Sequence, residues 1–264
     1  MVVARGARRS AIERAWATSP LKLLEPRNHG DAAWVFVATY GGGLVDGDRI
    51  TLRAQVGADA GLVLATQAST KVYRSPRGCA QRLVARVEAG ALLAALPAPV
   101  VCFAGAHYRQ DVAIELAPGA SLLWLDGLTA GRSARGERWA FGSYASRLAV
   151  TRAGAPVVHD GILLDPRHGP LGERMGRFDA LATVIALGPR VAALARDLLA
   201  SGGSPGDPTG GERRSGLRIA ASPHDDGAVV RVAGTSSEAV TRAVRRSLAR
   251  VPEILGDDPF RAPV

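Results

Sequence analysis

Three segments of this chain repeat one short pattern, and that repeat limits what the chain can fold into. They are "QVGADAGLVLAT" (55–66), "RVEAGALLAALP" (86–97) and "ELAPGASLLWLD" (115–126). Each reads as the end of a strand, a short glycine turn and then an aliphatic strand. Gly61, Gly90 and Gly119 fall 29 residues apart both times. Spacing of this size, kept together with the residue types, suggests two-strand units stacked as a solenoid or layered sheet. Three ordinary hairpins whose spacing coincides is the other reading.

The surrounding sequence agrees with a strand-rich chain. "DRITLRAQV" (48–56) alternates, placing Ile50, Leu52, Ala54 and Val56 on one face. Further strands are predicted at 34–40, 62–74, 79–88, 91–96, 111–117, 120–126, 138–151 and 157–164, separated by Gly, Pro and Asp clusters. The last third changes character. Residues 189–200 have helical spacing, 201–216 read as a flexible loop, and 217–233 read as one or two strands. "TSSEAVTRAVRRSLARVPEIL" (235–255) reads as an amphipathic helix, with Thr235 and Glu238 at capping-box spacing. The expected fold is mostly β. It is a stacked-strand, β-helix-like single domain over 1–264, with a β-rich core to residue 188 and about two α-helices in the helical part from 189 to 264.

Composition narrows the function. The formal charge is +9, almost all of it arginine, since Lys22 and Lys71 are the only lysines. Such a balance suits an acidic partner, nucleic acid or protein, or reflects a GC-rich coding bias. A nucleic-acid-binding β protein needs clustered arginine with exposed aromatics; here aromatics are 5% and the arginines are dispersed. Cys79 and Cys102 form no CxxC and no disulfide framework, and are expected as buried thiols. No signal peptide or membrane span is read, so a cytoplasmic location with no membrane contact is expected.

Local chemistry is sparse. "GGGLVDGD" (41–48) lacks the lysine and following helix of a phosphate loop and reads as a tight turn bearing Asp46 and Asp48. There is no GxSxG, and no histidine pair has zinc spacing. Two stretches stand out. In "ATQASTKVYRS" (65–75), a strand would point Gln67, Ser69, Lys71 and Tyr73 to one polar face, with Arg74 beside it. In "LWLDGLTAGRSARGERW" (123–139), Asp126 and Glu137 could converge as oxygen ligands for a metal ion, or serve a metal-dependent hydrolase. Alternatively, Arg132, Arg135 and Glu137 brace the turn as an ion-pair network.

Several long motifs in order carry a resemblance. "SPLKLLEP" (19–26), "YGGGLVDGDRITLRAQV", "ATQASTKVYRS", "LLAALPAPVVCFAGAHYRQDVAIEL", "GASLLWLDGLTAGRSARGERWAFGSYASRLAV", "DGILLD" and "FDALATVIAL" span about four-fifths of the chain. The chain resembles the urease accessory protein UreD (UreH) family. That resemblance implies a non-catalytic scaffold with a mostly β fold. It implies binding to UreF, which recruits the GTPase UreG, and a dimer of UreD-UreF-UreG units. It also implies docking on the urease apoprotein and passage of nickel to its dinickel site. Nickel in transit needs weak oxygen ligands, so Asp46, Asp48, Asp126 and Glu137 are the expected route. Gln67, Lys71, Tyr73, Arg74, Arg132 and Arg135 are the expected partner contacts, and no catalytic residue or tightly bound cofactor is expected.

Overall fold

A computed structural model describes residues 1–202 and 216–260. The predicted loop 201–216 therefore lies mostly outside the described residues. The chain builds two large sheets packed face to face. In the seven-stranded sheet, Arg49–Val56, Cys79–Val87, His107–Leu116 and Ser143–Arg152 run parallel. In the ten-stranded sheet, Ala33–Thr39, Gly61–Thr66, Leu92–Leu96 and Ser121–Thr129 also run parallel. The chain alternates between the two sheets, so each turn of the coil lays one strand on each. The predicted β-helix-like stacking is therefore present. Val2–Arg5 adds to the first sheet parallel to Arg49–Val56, and antiparallel strands close both sheets: Ala155–Leu164 and Ser10–Arg14 in the first, Leu21–Leu24, Ala180–Leu187, Gly227–Gly234 and Leu217–His224 in the second.

The stacking has a different phase from the one the glycines suggest. Gly61 pairs with Leu92, and Leu92 with Ser121. The turn residues that stack are Asp59, Gly90 and Gly119, all with positive φ (57°, 70° and 76°). Thus 31 residues separate the first pair and 29 the second. The three turns share one hydrogen bond, from Ala60 N–H to the Gly57 carbonyl, Ala91 to Glu88 and Ala120 to Ala117. Ala60, Ala91 and Ala120 are fully buried at this corner. Aspartate tolerates the left-handed conformation better than most side chains, which is why a glycine is missing from the first turn.

Burial explains which strands alternate. The outer face of the seven-stranded sheet meets solvent, so Arg49–Val56 alternates strictly between exposed and inward side chains apart from the half-buried Leu52. The ten-stranded sheet is covered on both faces, so all of Leu92–Leu96 is buried. Leu62, Leu93, Leu122 and Trp124 fill the space between the sheets. On the opposite face, Leu123 and Leu125 meet Leu194 and Leu198 of the helix Ala192–Ser201 and Val240 and Val244 of the helix Ser237–Ser247. A third cluster at one end packs Tyr108, Phe141 and Tyr144 around Leu44 and Leu128.

Three predicted elements are divided; one is the strand expected at 138–151, where Arg138 ends the short strand Glu137–Arg138 and the long strand begins only at Ser143. The strand expected at 62–74 ends at Thr66 and resumes only at Lys71–Val72, so Gln67, Ser69, Lys71 and Tyr73 do not share one strand face. The final helix breaks into Ser237–Ser247 and Val251–Leu255. Pro252 cannot donate to Leu248, and its ring would clash with that carbonyl in a continuous helix. The N-cap is Ser236, whose hydroxyl accepts from Ala239 N–H, rather than Thr235. Beyond Gly256 the chain turns through Asp258, whose carboxylate accepts from Phe260 N–H.

Candidate functional site

The stacked strands bring polar side chains to one place in the aliphatic interior. Gln81, Gln110 and Ser146 occupy matched positions on three adjacent strands of the seven-stranded sheet. All three point inward. Asp126, on Ser121–Thr129 of the other sheet, faces them. The Ser146 hydroxyl donates to Asp126 Oδ2 at 3.0 Å, and Gln110 Nε2 donates to Ser146 Oγ at 3.3 Å. The Tyr108 hydroxyl donates to Gln81 Oε1 at 2.5 Å and lies 3.2 Å from Gln110 Oε1. The row is thus hydrogen-bonded end to end, as buried polar groups require.

These residues line a cavity of about 100 Å³ between the sheets, shared with Thr66, Thr70 and Trp124. A smaller cavity of about 10 Å³ lies beyond Asp126, against Tyr144 and Thr183. Asp126 therefore stands where the two meet. Burial pushes its carboxyl pKa up, and the nearby Asp160 charge adds to this; hydrogen bonds from Ser146, Gln110 and Gly127 N–H oppose it. No arginine or lysine makes an ion pair with it among the described residues. A cation in the cavity would meet one carboxylate and several neutral oxygens, a weak and open donor set. Among the described residues no three His, Cys, Asp or Glu side chains converge.

The other acids from the sequence have prior commitments. Asp46 takes the Arg77 backbone N–H and guanidinium, both at 2.8 Å, and Arg77 holds its carboxyl below the usual range. Asp48 accepts from Val45 N–H at 2.8 Å and closes the turn. Glu137 forms a two-pronged pair with Arg132 and accepts from Ala104 N–H, with Arg132 first among the causes that lower its pKa. Asp126 and Glu137 thus hold different partners: Asp126 lines the inter-sheet cavity, and Glu137 serves the hairpin of Gly131–Arg132 and Glu137–Arg138.

The two unusual stretches of sequence do meet, through Phe103. Tyr73 packs edge-to-face on Phe103 with centroids 5.1 Å apart, and the Arg132 guanidinium stacks 4.1 Å from the same ring. Arg74 lies over Gly105 in that turn. Arg135 is exposed on the adjoining 3-10 turn, while Gln67 and Lys71 are exposed further along the chain. Gln81, Gln110 and Ser146 escape sequence reading because each alone resembles a surface residue. Their signal is spacing, since Gln81 and Gln110 are 29 residues apart, one turn of the coil.

A two-sheet solenoid with a buried polar row between its sheets defines the class: a stacked-β protein. The model of the UreD urease accessory protein family matches residues 1–263. A urease accessory protein UreD of Sorangium cellulosum is 58% identical over 98% of this chain and 82% of its own length. One of Anaeromyxobacter sp. is 52% identical over 95% of this chain and 84% of its own. Urease accessory protein D of Oryza sativa subsp. indica is 32% identical over 96% of this chain and 92% of its own. The chain belongs to the UreD family of urease accessory proteins. No helix among the described residues is long and apolar enough to cross a membrane.

Proposed function

We propose that this chain is a non-catalytic scaffold that carries nickel toward apo-urease, together with UreF and UreG. The observation that carries the reading is the inter-sheet cavity, with Asp126 facing Gln81, Gln110 and Ser146. A cargo ion must bind and then leave, and a single carboxylate among neutral oxygens permits both. Asp126 is the acid of the route. Asp46, Asp48 and Glu137 hold the turns around it. The Tyr73, Arg74 and Arg132 cluster at Phe103 offers the aromatic and arginine side chains that anchor protein interfaces, with Arg135 on the adjoining turn and Gln67 and Lys71 as exposed contacts further along the chain. A metal-dependent hydrolase built on Asp126 and Glu137 has no support, because Arg132 occupies Glu137.

The test is reconstitution with the UreF, UreG and apo-urease of the same genome. Size-exclusion chromatography with light scattering reads complex formation and whether two UreD-UreF-UreG units pair. Metal analysis of the urease reads delivery. Asp126→Ala should leave the complex intact and lower nickel per urease. Full nickel loading by that variant removes Asp126 from the route. Failure of the unaltered chain to co-elute with UreF removes the partner assignment.

A further inference from the structure

Among the described residues the outer face of the seven-stranded sheet is exposed, and its chemistry is one-sided. Both long helices pack on the other sheet. Across four adjacent strands the outward positions carry Arg49, Arg53, Arg82, Arg86, Arg109 and Arg147. The carboxylates among them are Asp111 and Glu115. Arg86 pairs with Glu115 at 2.9 Å and Arg109 with Asp111 at 2.6 Å. Arg49, Arg53, Arg82 and Arg147 make no ion pair among the described residues. Registration places Asp111 directly between Arg82 and Arg147, so one carboxylate stands amid three guanidinium groups.

Several of the other outward positions are small, beside Thr51, Gln55, Val84, His107 and Thr151. Ala80, Ala113, Ala145, Ala149 and Gly161 form a low floor from which the arginines rise. At one side this floor opens into a notch of about 460 Å³, walled by Arg109, Arg147, His159 and Leu163. Leu163 is 54% exposed, one of the most exposed large apolar side chains on the molecule. No Phe, Tyr or Trp projects from these strands on this face.

We infer that this sheet face docks an acidic surface of a protein partner, with carboxylates on Arg82 and Arg147 and an aliphatic side chain against Leu163 in the notch. Arginine's planar fork suits carboxylates and keeps its charge at an interface. Two features favour a protein over a nucleic acid. The face has no aromatic platform on which bases would stack, and the notch pairs charge with an apolar contact, which a phosphate backbone cannot use. This surface is separate from the Phe103 cluster and adjoins the inter-sheet cavity, since Arg82 lines that cavity and Gln110 lines both it and the notch.

The test uses the full chain and fluorescence anisotropy with a short labelled peptide alternating Glu and Leu. An oligo-dT single strand of equal charge serves as the comparison. Arg82→Glu/Arg147→Glu should weaken peptide binding about tenfold or more, about 1.4 kcal/mol. Arg242→Glu/Arg246→Glu, on exposed positions of Ser237–Ser247, makes the same charge change elsewhere and should alter binding less than twofold. Leu163→Ser should weaken the Glu-Leu peptide while leaving a Glu-Ser peptide unaffected, and this exposed change keeps the test valid should the double reversal unfold the chain. Equal losses in both double variants, or no loss in either, overturn the proposal. Tighter binding of oligo-dT, lost in the Arg82/Arg147 variant, overturns it in favour of a polyanion site.

Discussion

Replacing Gly90 by alanine tests the stacking of the coil at a single atom. Gly90 has φ +70°, and a left-handed alanine costs about 1–2 kcal/mol. A Cβ there would also stand 2.0 Å from Asp59 Oδ1 and 3.1 Å from its Cγ, one turn below. Moving that carboxylate off its rotamer adds about 0.5–1.5 kcal/mol. The narrower unfolded ensemble of alanine returns about 0.4–1 kcal/mol. The expected loss is therefore about 0.5–3 kcal/mol, centred on about 2 kcal/mol. Gly119→Ala has a similar φ, +76°, but its nearest neighbour is Gly90 N at 4.0 Å, so it should lose about 1 kcal/mol or less. Urea unfolding of Gly90→Ala, Asp59→Gly and the double variant isolates the contact. A coupling of about 0.5–1.5 kcal/mol is expected. Coupling within error of zero, or coupling of Gly90 to Gly61 instead, refutes the phase of stacking argued here.

Other perturbations probe the core, the cavity and the hairpin. Leu93→Ala, at a fully buried position between the sheets, should cost about 2–5 kcal/mol in urea unfolding; a loss below about 1 kcal/mol would mean the site collapses around the gap. Asp126→Asn should stabilise the chain at neutral pH. Burial raises the Asp126 pKa above its ordinary 3.8, so the folded chain holds that proton more tightly than the unfolded chain. The native carboxyl is then least costly below 3.8 and loses ground as pH rises through the folded value, so the advantage of asparagine should grow with pH. A difference constant across that range sinks the assignment. Arg132→Ala should cost about 1 kcal/mol after screening, since it removes the Phe103 stack and leaves Glu137 unpaired. Adding Glu137→Gln should recover part of that loss, and a simple sum of the two losses would argue against the pair.

Much of this fold is legible in the sequence because one sheet faces water. Strands such as Arg49–Val56 must alternate, and their period of two can be read directly. Strands buried on both faces carry no such sign: Leu92–Leu96 reads as apolar, but nothing in it says which leucine meets which layer. The short strands Val2–Arg5, Ser10–Arg14 and Leu21–Leu24 escape notice because edge pairing, not pattern, fixes them. The phase of the coil escapes because aspartate does at position 59 what glycine does at 90 and 119. Only the backbone conformation reveals that equivalence.

With the phase corrected, sequence separation becomes distance. Residues one turn apart lie on neighbouring strands, about 4.8 Å away. Arg86 and Glu115 are 29 apart and form an ion pair; Asp46 and Arg77 are 31 apart and form another. Gln81 and Gln110, again 29 apart, form the polar row. The same arithmetic separates the acids. Asp46 has an arginine one turn on. On one side of Asp126 the neighbouring strand has already ended at Leu96 and turned at Pro97; on the other it meets Thr183. An interior carboxylate that the repeat leaves without a cation must be satisfied by neutral donors, and Ser146, Gln110 and Gly127 supply them. That arrangement leaves Asp126 without an arginine partner among the described residues, and it is why the proposed nickel route, of the four acids prominent in the sequence, runs through Asp126.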